Sequence, residues 1–189
     1  VFNPNEDVAS TSNTDTQDKI VASVTRQFNF FKNAKTTATL AYVGQTGHVY
    51  SWVFTGDANG DGFTTNDLFY MPLNNDPKVR WTSAAEQQAF FAYAAANDLM
   101  KYQGQVLPRN AFTSPWNNNL DLTVVQDLPG AWRLKPQIIL NWGGFGNFLN
   151  KKWGLLEEIP FNYKRTIAGT TYDRTANQYV YTFSSSTFS

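Results

Sequence analysis

The chain contains no cysteine and a single histidine, His48. Disulfides and thiolate metal sites are therefore excluded, and a histidine-rich metal centre or a Ser-His-Asp triad would have to be built on His48 alone. That residue lies in an extended-looking run rather than on a turn that would present it for catalysis. Charge of one sign is lacking too. Lys and Arg number 15 and Asp and Glu number 15, so nothing points to nucleic acid or an anionic surface as a partner. No stretch approaches the roughly 20 apolar residues of a membrane helix. Residues 1–18 are rich in Asn, Thr, Ser and Asp and contain no apolar core of a secretory leader. The first residue is not Met, and the chain is expected to be a segment of something longer.

Aromatic residues are plentiful: Phe, Tyr and Trp make up 16% of the 189 residues, although the mean hydropathy is only −0.41. That length suffices for one domain with a full core. Low hydropathy does not exclude a membrane protein, because a transmembrane β-barrel alternates apolar lipid-facing with polar lumen-facing residues.

Alternation is clearest from Asp18 to Phe31. Ile20, Ala22, Val24, Phe28 and Phe30 share one parity, interrupted by Arg26, while Lys19, Ser23, Thr25, Gln27 and Asn29 share the other, interrupted by Val21. Period two predicts a strand with one apolar and one polar face. Lys32-Asn33-Ala34 reads as a short turn, followed by a long second strand over Lys35–Phe54 with bends or bulges at Gly44 and Gly47. At about 3.4 Å per residue such a strand is far longer than the globular norm. Trp116–Asp127 alternates again, Leu128-Pro129-Gly130-Ala131 suits a tight type II turn, and residues 132–145 alternate Trp132, Leu134, Ile138, Leu140 and Trp142 with polar positions. Tryptophan at both ends of an apolar stripe suits an aromatic girdle at two water–lipid boundaries. The soluble alternative is a large β-sandwich whose tryptophans fill a core.

Between these hairpins, Thr55–Pro115 is far longer than an ordinary connection. It opens with Asp57-Ala-Asn59-Gly-Asp61-Gly62-Phe63-Thr-Thr-Asn-Asp67, which has oxygen-bearing side chains at positions 1, 3 and 5 and glycine at position 6. That is the chemistry of a Ca²⁺ loop. The candidate ligands are Asp57, Asn59, Asp61, the Phe63 carbonyl and Asp67. Position 12 of an EF-hand loop is Glu, whereas here it is Leu68, and the flanks His48–Phe54 and Leu68–Pro72 are strand-like rather than helical. The competing reading is a metal-free turn held by Asx hydrogen bonds. Further on, Ser83-Ala-Ala-Glu86 is a capping box that predicts a helix running through Gln87–Met100, with Phe90, Phe91, Tyr93 and Leu99 as a docking face. Thr170–Tyr172 and Tyr179–Phe183 flank a polar turn, Asp173–Asn177, and predict a terminal hairpin.

Short turns at one end of the strands and a very long loop at the other form the layout of an outer-membrane barrel. Gly56-Asp-Ala-Asn-Gly-Asp-Gly62 followed by Asn66-Asp-Leu-Phe-Tyr-Met-Pro72 resembles the loop signature of Oar-like TonB-dependent outer-membrane receptors. The same family is resembled by Ala84-Ala-Glu-Gln-Gln88 leading to Tyr102-Gln-Gly104, by Pro108-Arg-Asn-Ala111 before Ser114-Pro-Trp116, and by Gly146-Asn-Phe-Leu-Asn-Lys-Lys-Trp-Gly154. In order and spacing the resemblance runs from about Asp18 to Phe183.

The resemblance implies an all-β fold: an antiparallel transmembrane β-barrel fragment of about four membrane strands plus an extracellular hairpin over Phe161–Phe183, with one helix in a long extracellular loop, residues 55–115. It implies that residues 1–189 are the C-terminal portion of a receptor barrel in the Gram-negative outer membrane, truncated at both ends, with the closing strand and the plug absent. The implied role is uptake of a large or scarce substrate. The implied partners are outer-membrane lipid, the TonB complex through the absent plug and N-terminal region, and an unknown extracellular substrate, with no nucleic acid. Structural Ca²⁺ is the only cofactor expected.

Two other function classes compete. One is a secreted, calcium-stabilised β-sandwich that binds carbohydrate on exposed Trp and Tyr. The other is a hydrolase using Glu157, Glu158 or Asp121, but nothing near Glu157–Glu158 supplies the apolar pocket that separates two carboxyl pKa values. No nucleophile elbow, phosphate loop or histidine metal motif is present, and no enzyme activity is expected.

Overall fold

The computed structural model describes residues 9–31, 34–130 and 134–184. Within them lie strands β1 (Lys19–Phe31), β2 (Ala34–Gln45), β3 (Val49–Val53), β4 (Tyr70–Met71), β5 (Val79–Trp81), β6 (Gln105–Val106), β7 (Phe112–Thr113), β8 (Asn117–Asp127), β9 (Gln137–Trp142), β10 (Lys164–Thr166), β11 (Gly169–Asp173) and β12 (Gln178–Thr182), with helix α1 (Ala84–Ala96). The protein is mostly β-sheet with one α-helix, and among the described residues no sheet closes into a barrel. The chain forms two compact units. One comprises Thr16–His48 and Ser114–Glu158, the other Val1–Asp15, Val49–Thr113 and Ile159–Ser189.

The first unit is an antiparallel sheet in the order β1-β2-β8-β9. Its register carries the sequence alternation across all four strands. Val24 pairs with Leu40, Leu40 with Leu122 and Leu122 with Trp142; one residue along, Thr25 pairs with Thr39, Thr39 with Thr123 and Thr123 with Asn141. One face therefore collects Ile20, Ala22, Val24, Tyr42, Leu40, Ala38, Leu120, Leu122, Val124, Leu140 and Ile138. The other is mainly polar, with Ser23, Thr25, Gln27, Thr37, Thr39, Asn119, Asp121, Thr123 and Asn141, and also carries Val21, Ala41, Val43, Val125 and Ile139. Side-chain bonds run across the polar face: Thr25 and Thr39 share one at 3.0 Å, the Thr123 hydroxyl donates to Asn141 Oδ1 at 3.1 Å, and Gln137 Nε2 donates to Asp127 Oδ1 at 2.8 Å. The apolar face has almost no cover: Val24 is 70% exposed, Ile138 58% and Leu140 56%. Arg26 lies on it and places its guanidinium 5.5 Å from the Phe28 ring.

At the Gln45–Asn117 end the apolar face is closed by aromatics. Gly44 lies under Tyr42 and Trp116, and a Cβ there would fall on the Tyr42 hydroxyl and 2.8 Å from a Trp116 ring carbon. Asn118 Oδ1 accepts from the Tyr42 hydroxyl at 2.7 Å and from Trp116 Nε1 at 3.1 Å. A short 3₁₀ turn at Phe145–Phe148 brings Gly146 against Leu120 and Trp153, so Leu120 is only 7% exposed.

Three expectations about this sheet need correction. The second strand does not run unbroken to Phe54: β2 ends at Gln45, and β3 pairs elsewhere, with β7 and β10. The break falls at Gly47, where a Cβ would lie 2.6 Å from Ser114 Cβ and 2.9 Å from the Pro115 carbonyl, so only glycine lets the two chains pass. Ala131 of the expected Leu128–Ala131 turn lies outside the described residues, but the connection after β8 is longer than four residues. Pairing resumes at Asp127 with Gln137, and the Leu128 amide donates to the Pro136 carbonyl at 2.9 Å. Pro136 has no N–H to extend the ladder, so β9 begins one residue after it. Finally, β9 ends at Trp142 rather than 145, because Gly144 adopts φ +69° and its amide donates to Asp121 Oδ1 at 2.8 Å. The expected turn residues Lys32 and Asn33, the girdle residue Trp132 and the terminal run from Ser185 lie outside the described residues.

In the second unit, residues 49–113 fold together with residues 159–184. β10 pairs in parallel with β3, and β12 pairs in parallel with β5, so residues 159–184 complete a folded body. Its core contains Trp52, Phe54, Phe69, Met71, Phe90, Leu99, Leu107, Ile167 and Tyr181, with ring pairs such as Phe54–Phe69 at 4.7 Å and Trp81–Phe90 at 4.8 Å. The expected helix is there, and Phe90 and Leu99 are fully buried in that core. The Glu86 amide donates to the Ser83 hydroxyl at 3.2 Å, but the Glu86 carboxylate accepts from the Phe183 amide at 2.9 Å. Only half of the capping box is therefore local. The helix stops at Ala96, four residues early, because Asp98 takes φ +56°. The β11–β12 hairpin forms as expected, with Asp173 facing Gln178.

Candidate functional site

The Asp57–Asp67 loop is closed by its own carboxylates. Asp57 Oδ1 accepts from the amides of Gly60 at 2.7 Å and Asp61 at 3.2 Å, and its Oδ2 from Gly62 at 2.8 Å. Asn59 Oδ1 accepts from the Asp61 amide, and Asp61 Oδ1 from the Phe63 amide, both at 2.8 Å. Asn59 Nδ2 and Asn66 Nδ2 both donate to Asp61 Oδ2. The Phe63 amide and the Asn59 side chain hold the Asp61 carboxyl below the usual carboxylate range. Gly60 and Gly62 take φ +81° and +87°, left-handed conformations that a side chain would strain.

Of the five candidate ligands, Asp57, Asn59 and Asp61 come together in this turn. The Phe63 side chain is 70% exposed. Asp67 is set apart: it is 5% exposed, and its Oδ2 accepts from the amides of Ala58 at 2.7 Å and Asn59 at 3.4 Å, clasping the base of the loop. Among the described residues no three His, Cys, Asp or Glu side chains form a metal-binding group. The donors that converge are all oxygens, which suits a hard cation such as Ca²⁺ in kind.

Beneath the loop lies a cavity of about 130 Å³. Its walls include Phe54, Asp67, Leu68, Tyr70, Val79, Val106, Tyr179 and Tyr181, with Ala58 and Asn59 of the loop on one side and exposed Lys78 among the lining. The phenols titrate late. Burial pushes Tyr70 up to about 12, helped by its hydrogen bond to Asp76 and that residue's charge. Burial also raises Tyr179, with the neighbouring Tyr172 and the Asp67 charge adding to it. Asp76 is a hub, accepting from the Tyr70 hydroxyl at 2.8 Å, the Lys78 amide at 3.0 Å and the Leu73 amide at 3.3 Å. Burial would raise its carboxyl, but these bonds and the Lys78 charge prevail, and the net shift is downward.

The residues weighed for catalysis have structural contacts. His48 Nε2 is 3.9 Å from the Glu158 carboxylate. Asp121 accepts from the Gly144 amide and from Asn119 Nδ2. Sequence reasoning missed a buried knot at Asn110. Its amide donates to Ser51 Oγ at 2.8 Å, the same hydroxyl donates back to Asn110 Oδ1 at 3.0 Å, and Asn110 Nδ2 donates to the Thr11 carbonyl at 2.6 Å. The only signal was an asparagine shortly after a proline, suited to the φ of +54° it adopts. Compared with known proteins, the chain matches no family model, no curated protein and no solved structure.

Proposed function

We propose that the chain is part of the β-barrel of an Oar-like TonB-dependent receptor in the outer membrane of a Gram-negative bacterium, taking up a large or scarce substrate across that membrane. The observation that carries this reading is the four-strand register: apolar residues fall in line on one face, and that face has almost no protein over it. Strands β1, β2 and β8, of 13, 12 and 11 residues, reach the roughly 9–11 needed to cross a bilayer at a tilt, while β9 has 6. The bare apolar face would meet lipid, the polar face a lumen, and the free edges of β1 and β9 would pair with further strands of a closed barrel. Tyr42 and Trp116, at the Gln45–Asn117 end, suit an interfacial girdle. The absence of a helix long and apolar enough to cross a membrane among the described residues has no bearing on strands.

In this reading the second unit is the extracellular part. The Asp57, Asn59 and Asp61 side chains with the Phe63 carbonyl would hold a Ca²⁺, whose charge would stiffen the turn, and Asp67 would keep the loop seated. The role is binding and transport, with no chemistry of the chain's own. The sandwich alternative needs a second sheet over the apolar face, and the exposure of Val24 and Leu140 argues against one.

Refolding tests the reading. On dilution from urea, the chain is expected to gain its full β-sheet circular dichroism with lipid vesicles or detergent and to aggregate in plain buffer. A monodisperse, fully folded monomer in plain buffer would contradict it.

A further inference from the structure

We propose that the cavity beneath the Asp57–Asp67 loop is a binding site for a small organic cation, a primary ammonium on a short aliphatic stem. The site is built from one unit alone and stands independently of the membrane reading. Its first element is Asp67. The side chain is 5% exposed, and its hydrogen bonds come from two amides that carry no charge. Asp67 is in neither of the ion pairs His48–Glu158 and Arg80–Asp173, and the cationic side chain in the cavity lining, Lys78, is exposed. An ionised carboxylate buried without a counter-charge is costly, and a cation brought to it recovers part of that cost.

The second element is the wall. Phe54, Tyr70, Tyr179 and Tyr181 all line the cavity with Asp67. Their π-systems attract a cation, the more so when water is excluded. The third is size. About 130 Å³ is close to the roughly 150 Å³ of an engineered cavity that accepts benzene. That space suits an aliphatic chain of about four or five carbons. Asp67 disfavours an anion, and a neutral alcohol leaves its charge uncompensated. Lys78, the exposed cation in the lining, works against a second positive charge, so the ligand is a monoammonium.

The test titrates the full chain, in whichever medium preserves its native near-UV spectrum, in calcium and again in EDTA. The probes are n-pentylammonium, the neutral isostere n-pentanol and the anion pentanoate, read by calorimetry and by tyrosine ring NMR. Pentylammonium is expected to bind about tenfold tighter than pentanol in at least one buffer, and pentanoate not to bind. Asp67→Asn keeps an acceptor for the Ala58 and Asn59 amides and is expected to erase the preference. Val106→Trp, at an exposed wall position, should abolish binding of both probes, and Lys78→Ala should leave ammonium binding unchanged or tighter. Equal affinity for ammonium and alcohol, preference for pentanoate, no ammonium binding to the folded chain in either buffer, or undiminished preference in Asp67→Asn would each overturn the proposal. If Asp67→Asn loses the native spectrum, the wild-type probe comparison and Val106→Trp decide it.

Discussion

Tyr70 and Asp76 share one hydrogen bond of 2.8 Å, and the two ends of the pH scale undo it differently. The Asp76 carboxyl is lowered in the folded chain, so its contribution is complete above the unfolded carboxylate range and fades as pH falls through the folded value. Tyr70 is raised to about 12, so its contribution is complete below pH about 10, the ordinary phenol value, and fades as pH rises toward about 12. Tyr70→Phe should cost about 1–3 kcal/mol at neutral pH, since Asp76 loses a donor. Thermal melts followed by near-UV circular dichroism at pH about 7 and 11 should show wild type losing more stability between the two than Tyr70→Phe; equal losses would refute this assignment. Gly44 offers a second residue-scale check. Gly44→Ala must displace Tyr42 and press on Trp116, and is expected to lower stability by about 1–3 kcal/mol in detergent-based unfolding, with the Tyr42–Asn118 bond lost.

Elements with a local signal were legible in the sequence. β1 and β8 declared themselves by period two, α1 by Ser83, and the β11–β12 hairpin by its polar turn. Ser83→Ala should therefore cost about 1 kcal/mol in the same unfolding measurement. What was not legible depends on partners far away in the chain. β5 and β10 are three-residue strands, too short for a period, and they pair with β12 and β3 respectively. The break at Thr46–His48 is imposed by Ser114 and Pro115, and the Glu86 carboxylate is drawn away by Phe183. The candidate site divides the same way. The spacing of Asp57, Asn59 and Asp61 gave the turn, whereas the inward role of Asp67 depends on Tyr179 and Tyr181 from the end of the chain. Asn110 shows how such a long-range knot can be measured. Asn110→Gly keeps the left-handed backbone and loses the side-chain bonds, while Asn110→Ala adds backbone strain. The two should differ by about 1 kcal/mol, with Ala the worse.

At the scale of the whole molecule, two kinds of construction share one chain. One unit has an aromatic core of the sort that folds in water, and the other is a sheet whose apolar residues align across four strands and meet little protein. The central claim is that this bare face meets lipid. Because the chain has no cysteine, single cysteines can be placed in three adjacent rows of the register without background. Val24, Leu40, Leu122 and Leu140 lie on the apolar face, and Thr25, Thr39, Thr123 and Asn141 on the polar one. Each carries a nitroxide label in protein reconstituted into bilayers, and its collisions with oxygen and with a water-soluble nickel chelate are measured. The account predicts that the first four favour oxygen and the second four favour nickel, alternating residue by residue along each strand. Equal accessibility of both sets to the nickel chelate would contradict it.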